Sequence, residues 1–112
     1  MAIIFDEDLA VLYQTETKQI NRAVQRNKGR FPCDFAFQLT KEEWDSLRFQ
    51  SGTSKSGSGG RRYYPFVFTE QGVAMLSAVL RTEITLKVSI AIIRAFVDLK
   101  NKIFSLFRFR TG

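Results

Sequence analysis

The stretch that sets the architecture of this chain is residues 6–27, which read DEDLAVLYQTETKQINRAVQRN. Apolar side chains at helical spacing predict a first helix over about residues 6–13, with Asp6 as its N-cap. Gln14 and Thr15 form a tight connection, and a second helix follows over about residues 16–27. A short helix, a tight turn and a second helix are the pattern of a helix-turn-helix.

The second helix is strongly two-sided on a wheel drawn at about 100° per residue. Ile20, Ala23 and Val24 lie together on one side. The opposite side and its flanks carry basic and amide side chains, namely Lys18, Gln19, Asn21, Arg22, Gln25 and Arg26. Arg and Lys reach phosphates or guanine edges, and Gln and Asn pair with adenine edges. The pattern predicts a DNA-binding face, with a solvated face of an ordinary amphipathic helix as the alternative.

The second helix lies within a dense block of positive charge. The 112 residues include 17 Lys and Arg against 11 Asp and Glu, a formal net charge of +6. Residues 17–30 contain five basic residues and no acid, and Lys28 extends the basic set beyond the helix. Because phosphate binding needs locally dense positive charge, this block favours a polyanionic partner: DNA, RNA or an anionic membrane surface.

The second candidate for phosphate contact is the segment 51–62, a Ser/Gly-rich loop that ends in Arg61 and Arg62. It lies between strand-like runs at 35–39 and 63–68, and so resembles the wing of a winged helix. In such a wing the arginines contact the DNA backbone; a solvated hairpin loop is the alternative. A nucleotide-binding loop is disfavoured, because the Gly-Lys-Ser/Thr ending is missing and a strand follows.

Local signals predict the remaining elements. Thr40 and Glu43 match the capping box of a third helix, while Thr69 and Thr82 can cap a fourth helix and a fifth helix over about 83–102. In the run 35–39 the residues predicted to share one strand face are Phe35, Phe37 and Leu39. The expected fold class is α+β: a helix-rich small domain with a helix-turn-helix and a two- or three-stranded antiparallel sheet.

The fifth helix is apolar almost all round, which is typical of a helix shared between the core and a partner. We therefore expect a homodimer through this helix. Residues 103–112 alternate Phe and Arg in part, which favours a strand or extended arm. Such a tail could pack on a second subunit, lie on an anionic membrane or be unstructured.

Composition also excludes classes of function. The chain has no histidine and one cysteine, Cys33, so it lacks the residues of common nucleophilic triads and zinc sites. We expect no enzyme activity, no metal and no cofactor. No signal peptide or membrane span is recognisable, which favours a cytoplasmic protein without a membrane partner.

Several strings in the sequence together resemble one known family. The first half carries Asp8-Leu9-Ala10-Val11-Leu12-Tyr13 and Arg30-Phe31-Pro32-Cys33-Asp34-Phe35, and the second carries Phe68-Thr69-Glu70-Gln71-Gly72-Val73-Ala74-Met75-Leu76-Ser77. They resemble the phage "open-reading-frame-six" amino-terminal domain, a relative of the KilA-N and Bro-N domains. The resemblance covers about residues 3–100, and we expect one KilA-N-like domain over 1–102.

This resemblance implies a sequence-specific module for double-stranded DNA in a phage or prophage regulatory protein, often an antirepressor. Many members have Gly at the position of Gln14, and many carry a further C-terminal domain, expected to be missing here, that could bind a protein. The alternative function is a protein-interaction or dimerisation module that acts on a repressor through the fifth helix and the tail.

Overall fold

A computed structural model describes residues 2–51 and 64–111 of the chain. In chain order the elements are β1 (Ile4–Phe5), α1 (Asp6–Tyr13), α2 (Thr17–Arg26), β2 (Ala36–Gln38), α3 (Lys41–Ser51), β3 (Phe66–Phe68), α4 (Glu70–Leu80) and α5 (Glu83–Thr111). One turn of 3-10 helix, Lys28–Arg30, follows α2. The predicted fold class, a helix-rich α+β domain with a small antiparallel sheet, is confirmed.

The sheet has β3 at its centre, with β1 and β2 antiparallel on either side. Phe68 lies opposite both Ile4 and Ala36, and its side chain is fully buried. The strand-face prediction for β2 was wrong in part, because Ala36 is buried in the core whereas Phe37 is half-buried. A three-residue strand alternates too briefly for its periodicity to fix the inward face.

The predicted caps start three of the helices. At α3 the backbone N–H of Thr40 donates to Glu43 Oε1 at 2.8 Å, and that of Glu43 donates to Thr40 Oγ1 at 3.1 Å. The Thr69 hydroxyl accepts from the Gly72 N–H at 3.3 Å, and the Thr82 hydroxyl accepts from the Thr85 N–H at 3.1 Å. These contacts satisfy backbone donors that the first helical turn leaves without partners, so the cap predictions are confirmed.

Two boundary predictions were wrong. Asp6 is the first residue of α1 and Phe5 occupies the N-cap position, so Asp6 does not cap the helix in the expected way. Helix α2 begins at Thr17 with Glu16 at its N-cap, one residue after the predicted start at about residue 16. At each helix the observed boundary differs from the predicted one by a single residue.

The tail prediction was also wrong, because α5 continues without interruption to Thr111. The expected strand or extended arm after residue 102 is therefore helix. The Phe and Arg alternation there is short, and the backbone follows the helix that precedes it.

The core lies where α1, α2, α4, α5 and the sheet meet. Helix α4 packs on α5 and on α2, and α1 packs on both α2 and α5. The buried side chains of this cluster are Leu9, Ala10, Tyr13, Ile20, Ala23, Val24, Phe31, Ala36, Phe68, Val73, Leu76 and Phe96. Because α2 supplies three of them, its inner face is fixed and its outer face is presented to solvent.

Candidate nucleic-acid interface

Helix α2 has the two faces that its sequence predicts. Ile20, Ala23 and Val24 are buried against α1 and α4. The exposed side chains on the other side of the helix are Lys18, Gln19, Arg22, Gln25 and Arg26. Five of the six predicted polar positions are thus on one solvent-facing surface, which we call the α2 outer face.

The charges of the α2 outer face are little compensated. Lys18 Nζ lies 3.8 Å from Glu16 Oε1, with the two side chains 63% and 70% exposed. An ion pair as exposed as this is weak. Arg22 and Arg26 make no hydrogen bond or ion pair with any residue in the described ranges 2–51 and 64–111. Both guanidinium groups keep their donors for a partner.

The 3-10 turn after α2 extends the basic surface. Asn27 turns the chain out of the helix, with its Nδ2 donating to the Ala23 carbonyl at 2.8 Å. The exposed side chains of Lys28 and Arg30 follow directly. The sequence indicated Lys28 as a contact residue but not Arg30, although Arg30 belongs to the same acid-free block of residues 17–30.

Asn21 differs from the rest of the predicted contact set. It is half-buried, and its Nδ2 donates to Asp6 Oδ2 at 3.2 Å. The same carboxylate oxygen accepts from the Phe66 N–H at 3.2 Å, and Asp6 Oδ1 accepts from the Glu7 N–H at 2.7 Å. Asn21 therefore helps to hold α2 against α1 and the sheet, with its amide nitrogen directed inward.

The connection between α1 and α2 is a tight turn through Gln14. This residue has φ 56° and ψ 47°, the left-handed conformation that ends many helices. The N–H groups of Gln14 and Thr15 donate to the carbonyls of Val11 and Ala10, at 3.2 and 2.9 Å. The turn fixes where α2 starts relative to α1.

The predicted wing at 51–62 lies almost entirely outside the described residues. Arg61 and Arg62 lie outside the described residues. The described element before the segment is helix α3, which ends at Ser51, and the one after it is strand β3. The strands on either side of α3 and this segment, β2 and β3, are antiparallel neighbours in the sheet, so the wing stays a prediction.

Other candidate groups have structural contacts. Glu43 is part of the α3 cap, and Asp45 Oδ1 accepts from Arg48 at 2.9 Å. Trp44 packs edge-on against Phe5, with ring centroids 5.9 Å apart. Within the described ranges no group of three or more metal-ligating side chains comes together.

None of the helices in the described part of the chain combines the length and the hydropathy that a membrane crossing requires.

Taken together, the chain is a small helix-rich α+β domain whose second helix presents a basic, amide-rich face to solvent. Its sequence matches the model of the ORF6N domain over residues 1–79, from β1 into the last turn of α4. The chain belongs to the ORF6N family, and this family suggests a phage-type regulatory domain. No curated protein matches it, and no solved structure does.

Proposed function

We propose that this protein is a sequence-specific DNA-binding module of a phage or prophage regulatory protein, of the antirepressor type. The observation that carries the proposal is the α2 outer face: three exposed basic residues and two exposed amides on a helix whose opposite side is anchored in the core. In this proposal α1 and α2 act as a helix-turn-helix, and α2 enters the major groove.

The residue types divide between two kinds of contact. Arg22 and Arg26, which have no partner within the described ranges, can bind phosphates or pair with guanine in bidentate fashion, while Gln25 and Gln19 can pair with adenine. Lys18 and Lys28, at the two ends of α2, suit phosphates on either side of the groove. Arg61 and Arg62 remain proposed backbone contacts. The domain acts on DNA in the bacterial cytoplasm and needs no cofactor for this contact.

The experiment is fluorescence anisotropy with labelled duplex DNA, titrated at several salt concentrations. The variant Arg22→Ala/Arg26→Ala is compared with wild type and with Arg94→Ala/Lys102→Ala, which removes the same charge from exposed positions on α5. Each lost phosphate contact lowers the slope of log K against log salt by about 0.9. We expect the α2 variant to lose about two units of slope, and the α5 variant to bind like wild type.

Equal losses in both double variants would show that only net charge matters, and would contradict a dedicated α2 face. Binding that hardly changes with salt would instead favour the protein-interaction module. Selection from a random duplex pool tests sequence specificity: a motif should emerge with wild type and change with Gln25→Ala.

A further inference from the structure

Helix α5 carries apolar side chains that the described part of the chain leaves open to solvent. Leu86, Ile90 and Val97 are 53%, 43% and 40% exposed, and half-buried Ile93 joins them to the core. With Ile93 included, they follow one another at steps of four, three and four residues. This alternation is the spacing of the contact seam between two paired helices. We call these four residues the α5 stripe.

The stripe has a defined end. The next position at this spacing is Lys100, whose Nζ lies 2.6 Å from Glu70 Oε1 on α4. The seam therefore spans about three turns, or about 16 Å of helix.

The charges beside the stripe distinguish a parallel pair of α5 helices from an antiparallel pair. On a wheel at about 100° per residue, the charged residues along one flank are Glu83, Lys87, Arg94 and Asp98. Lys87 Nζ lies 3.2 Å from Glu83 Oε1 of the same helix, in a pair exposed enough to be weak. In a parallel pair this flank would face the opposite flank of the second copy, where Ser89 and Phe96 are buried in that copy's own core and offer no charge. In an antiparallel pair each flank faces the same flank of the second copy.

When the stripes of the two copies are aligned in antiparallel orientation, Leu86 lies opposite the second copy's Val97. It also brings Lys87 within two residues, about 3 Å along the axis, of the second copy's Asp98. Symmetry gives two such pairs. Apolar spacing and charge thus select the same arrangement.

We propose that the α5 stripe binds a second copy of this chain in antiparallel orientation, with Lys87 and Asp98 of the two copies paired across the contact. The proposal concerns α5 and does not depend on DNA binding by α2. A three-turn contact is small beside the about 1,200–2,000 Å² of a stable interface, so we expect a weak dimer.

Sedimentation equilibrium of the full chain measures this constant for wild type, Ile90→Glu and Leu99→Glu. Leu99 is a matched control, since it is 46% exposed on α5 but lies off the stripe. We expect Ile90→Glu to raise the dissociation constant at least about tenfold and Leu99→Glu to leave it unchanged. Wild type that stays monomeric up to about 1 mM, or equal effects of both variants, would overturn the proposal.

Disulfide trapping tests the relative orientation of the two α5 helices. It does not require a variant with a charge in the stripe to fold. In a Cys33→Ser background, Leu86→Cys and Val97→Cys are oxidised separately and as an equal mixture. We expect the mixture to give the cross-linked heterodimer and each single variant little product. Efficient cross-linking of Leu86→Cys with itself would show a parallel pair and contradict the proposed arrangement.

The charge pair has its own test. Lys87→Glu should weaken the dimer, and adding Asp98→Lys should restore it, because the swap rebuilds both cross-pairs. If the double variant formed a weaker dimer than Lys87→Glu alone, Lys87 and Asp98 would not be paired across the contact.

Discussion

At the scale of single residues, Gln14 holds the α1–α2 turn in a conformation that favours glycine. A side chain at φ 56° and ψ 47° brings its Cβ close to the following carbonyl, which costs about 1 kcal/mol relative to Gly. Gln14→Gly should therefore raise the free energy of unfolding by about that amount. Urea denaturation measures it. Gln14→Ala is the control and should bring no gain, since alanine carries the same Cβ.

At position 72 a glycine is needed because there is no space for a side chain. A Cβ at this position would overlap the Phe35 carbonyl oxygen and lie 2.8 Å from its carbon. That carbonyl also accepts the Thr69 N–H at 3.0 Å, so the start of α4 and the chain before β2 cannot simply separate.

We expect Gly72→Ala to lower the free energy of unfolding by about 3 kcal/mol, because backbone atoms have to move. Gly29→Ala is the matched control, since a Cβ there meets nothing within 4 Å. Thermal unfolding of both variants checks the difference. If the two variants lost equal stability, the close approach of Gly72 to Phe35 would not be the cause.

At the scale of elements, α1 and α5 are joined by a buried hydrogen bond at 2.6 Å between the hydroxyl oxygens of Tyr13 and Ser89. Burial raises the pKa of Tyr13 above its ordinary value near 10, and the hydrogen bond from Ser89 opposes the rise in part. Above about pH 10 the unfolded chain releases a proton that the folded chain keeps. Stability therefore falls as the pH rises from about 10 toward the folded pKa.

This pH dependence gives a prediction for Tyr13→Phe. Near neutral pH the variant should be less stable by about 1 kcal/mol, because Ser89 loses its partner. As the pH rises beyond about 10, the difference should shrink, since the variant has no phenol to ionise. Guanidinium unfolding of both proteins between pH 8 and pH 11.5 would reveal it. A constant difference across that range would show that Tyr13 does not couple ionisation to folding.

The elements that the sequence predicted correctly have local signals. The cap of α3 can be predicted from Thr40 and Glu43 alone, and α2 can be predicted from the helical spacing of its own apolar residues. The inward role of Asn21 escaped prediction because its partner, Asp6, is 15 residues away and on another helix. The α2 wheel alone placed Asn21 on the flank of the polar side, and only tertiary contact distinguishes it from Gln25.

At the scale of the whole molecule, contacts between distant parts of the chain determine features that local sequence patterns do not predict. Strand β1 joins β3 across more than sixty residues, and no periodicity in either strand specifies that register. The sheet, α1 and α2 meet at one fully buried side chain, that of Asp6. Its carboxylate accepts from Glu7, Asn21 and Phe66, so one residue links the candidate binding helix to the central strand.

Asp6→Asn should therefore act on the fold and on the α2 outer face together. An amide in place of the carboxylate offers one acceptor and one donor where backbone and side-chain donors converge, and we expect a loss of about 2–3 kcal/mol in unfolding free energy. Asp8→Asn is the control: it makes the same charge change in the same helical turn, at an exposed position. Chemical denaturation measures the stability of both variants.

Hydrogen exchange adds a local measurement to this comparison. In Asp6→Asn the amides of α2 and β3 should lose protection more than those of α4, because the lost contacts belong to α2 and β3. Weaker DNA binding should accompany that loss even though no residue of the α2 outer face has changed. If Asp6→Asn and Asp8→Asn behaved alike in stability and exchange, the linkage through Asp6 would be wrong. The position of α2 would then rest on its apolar face alone.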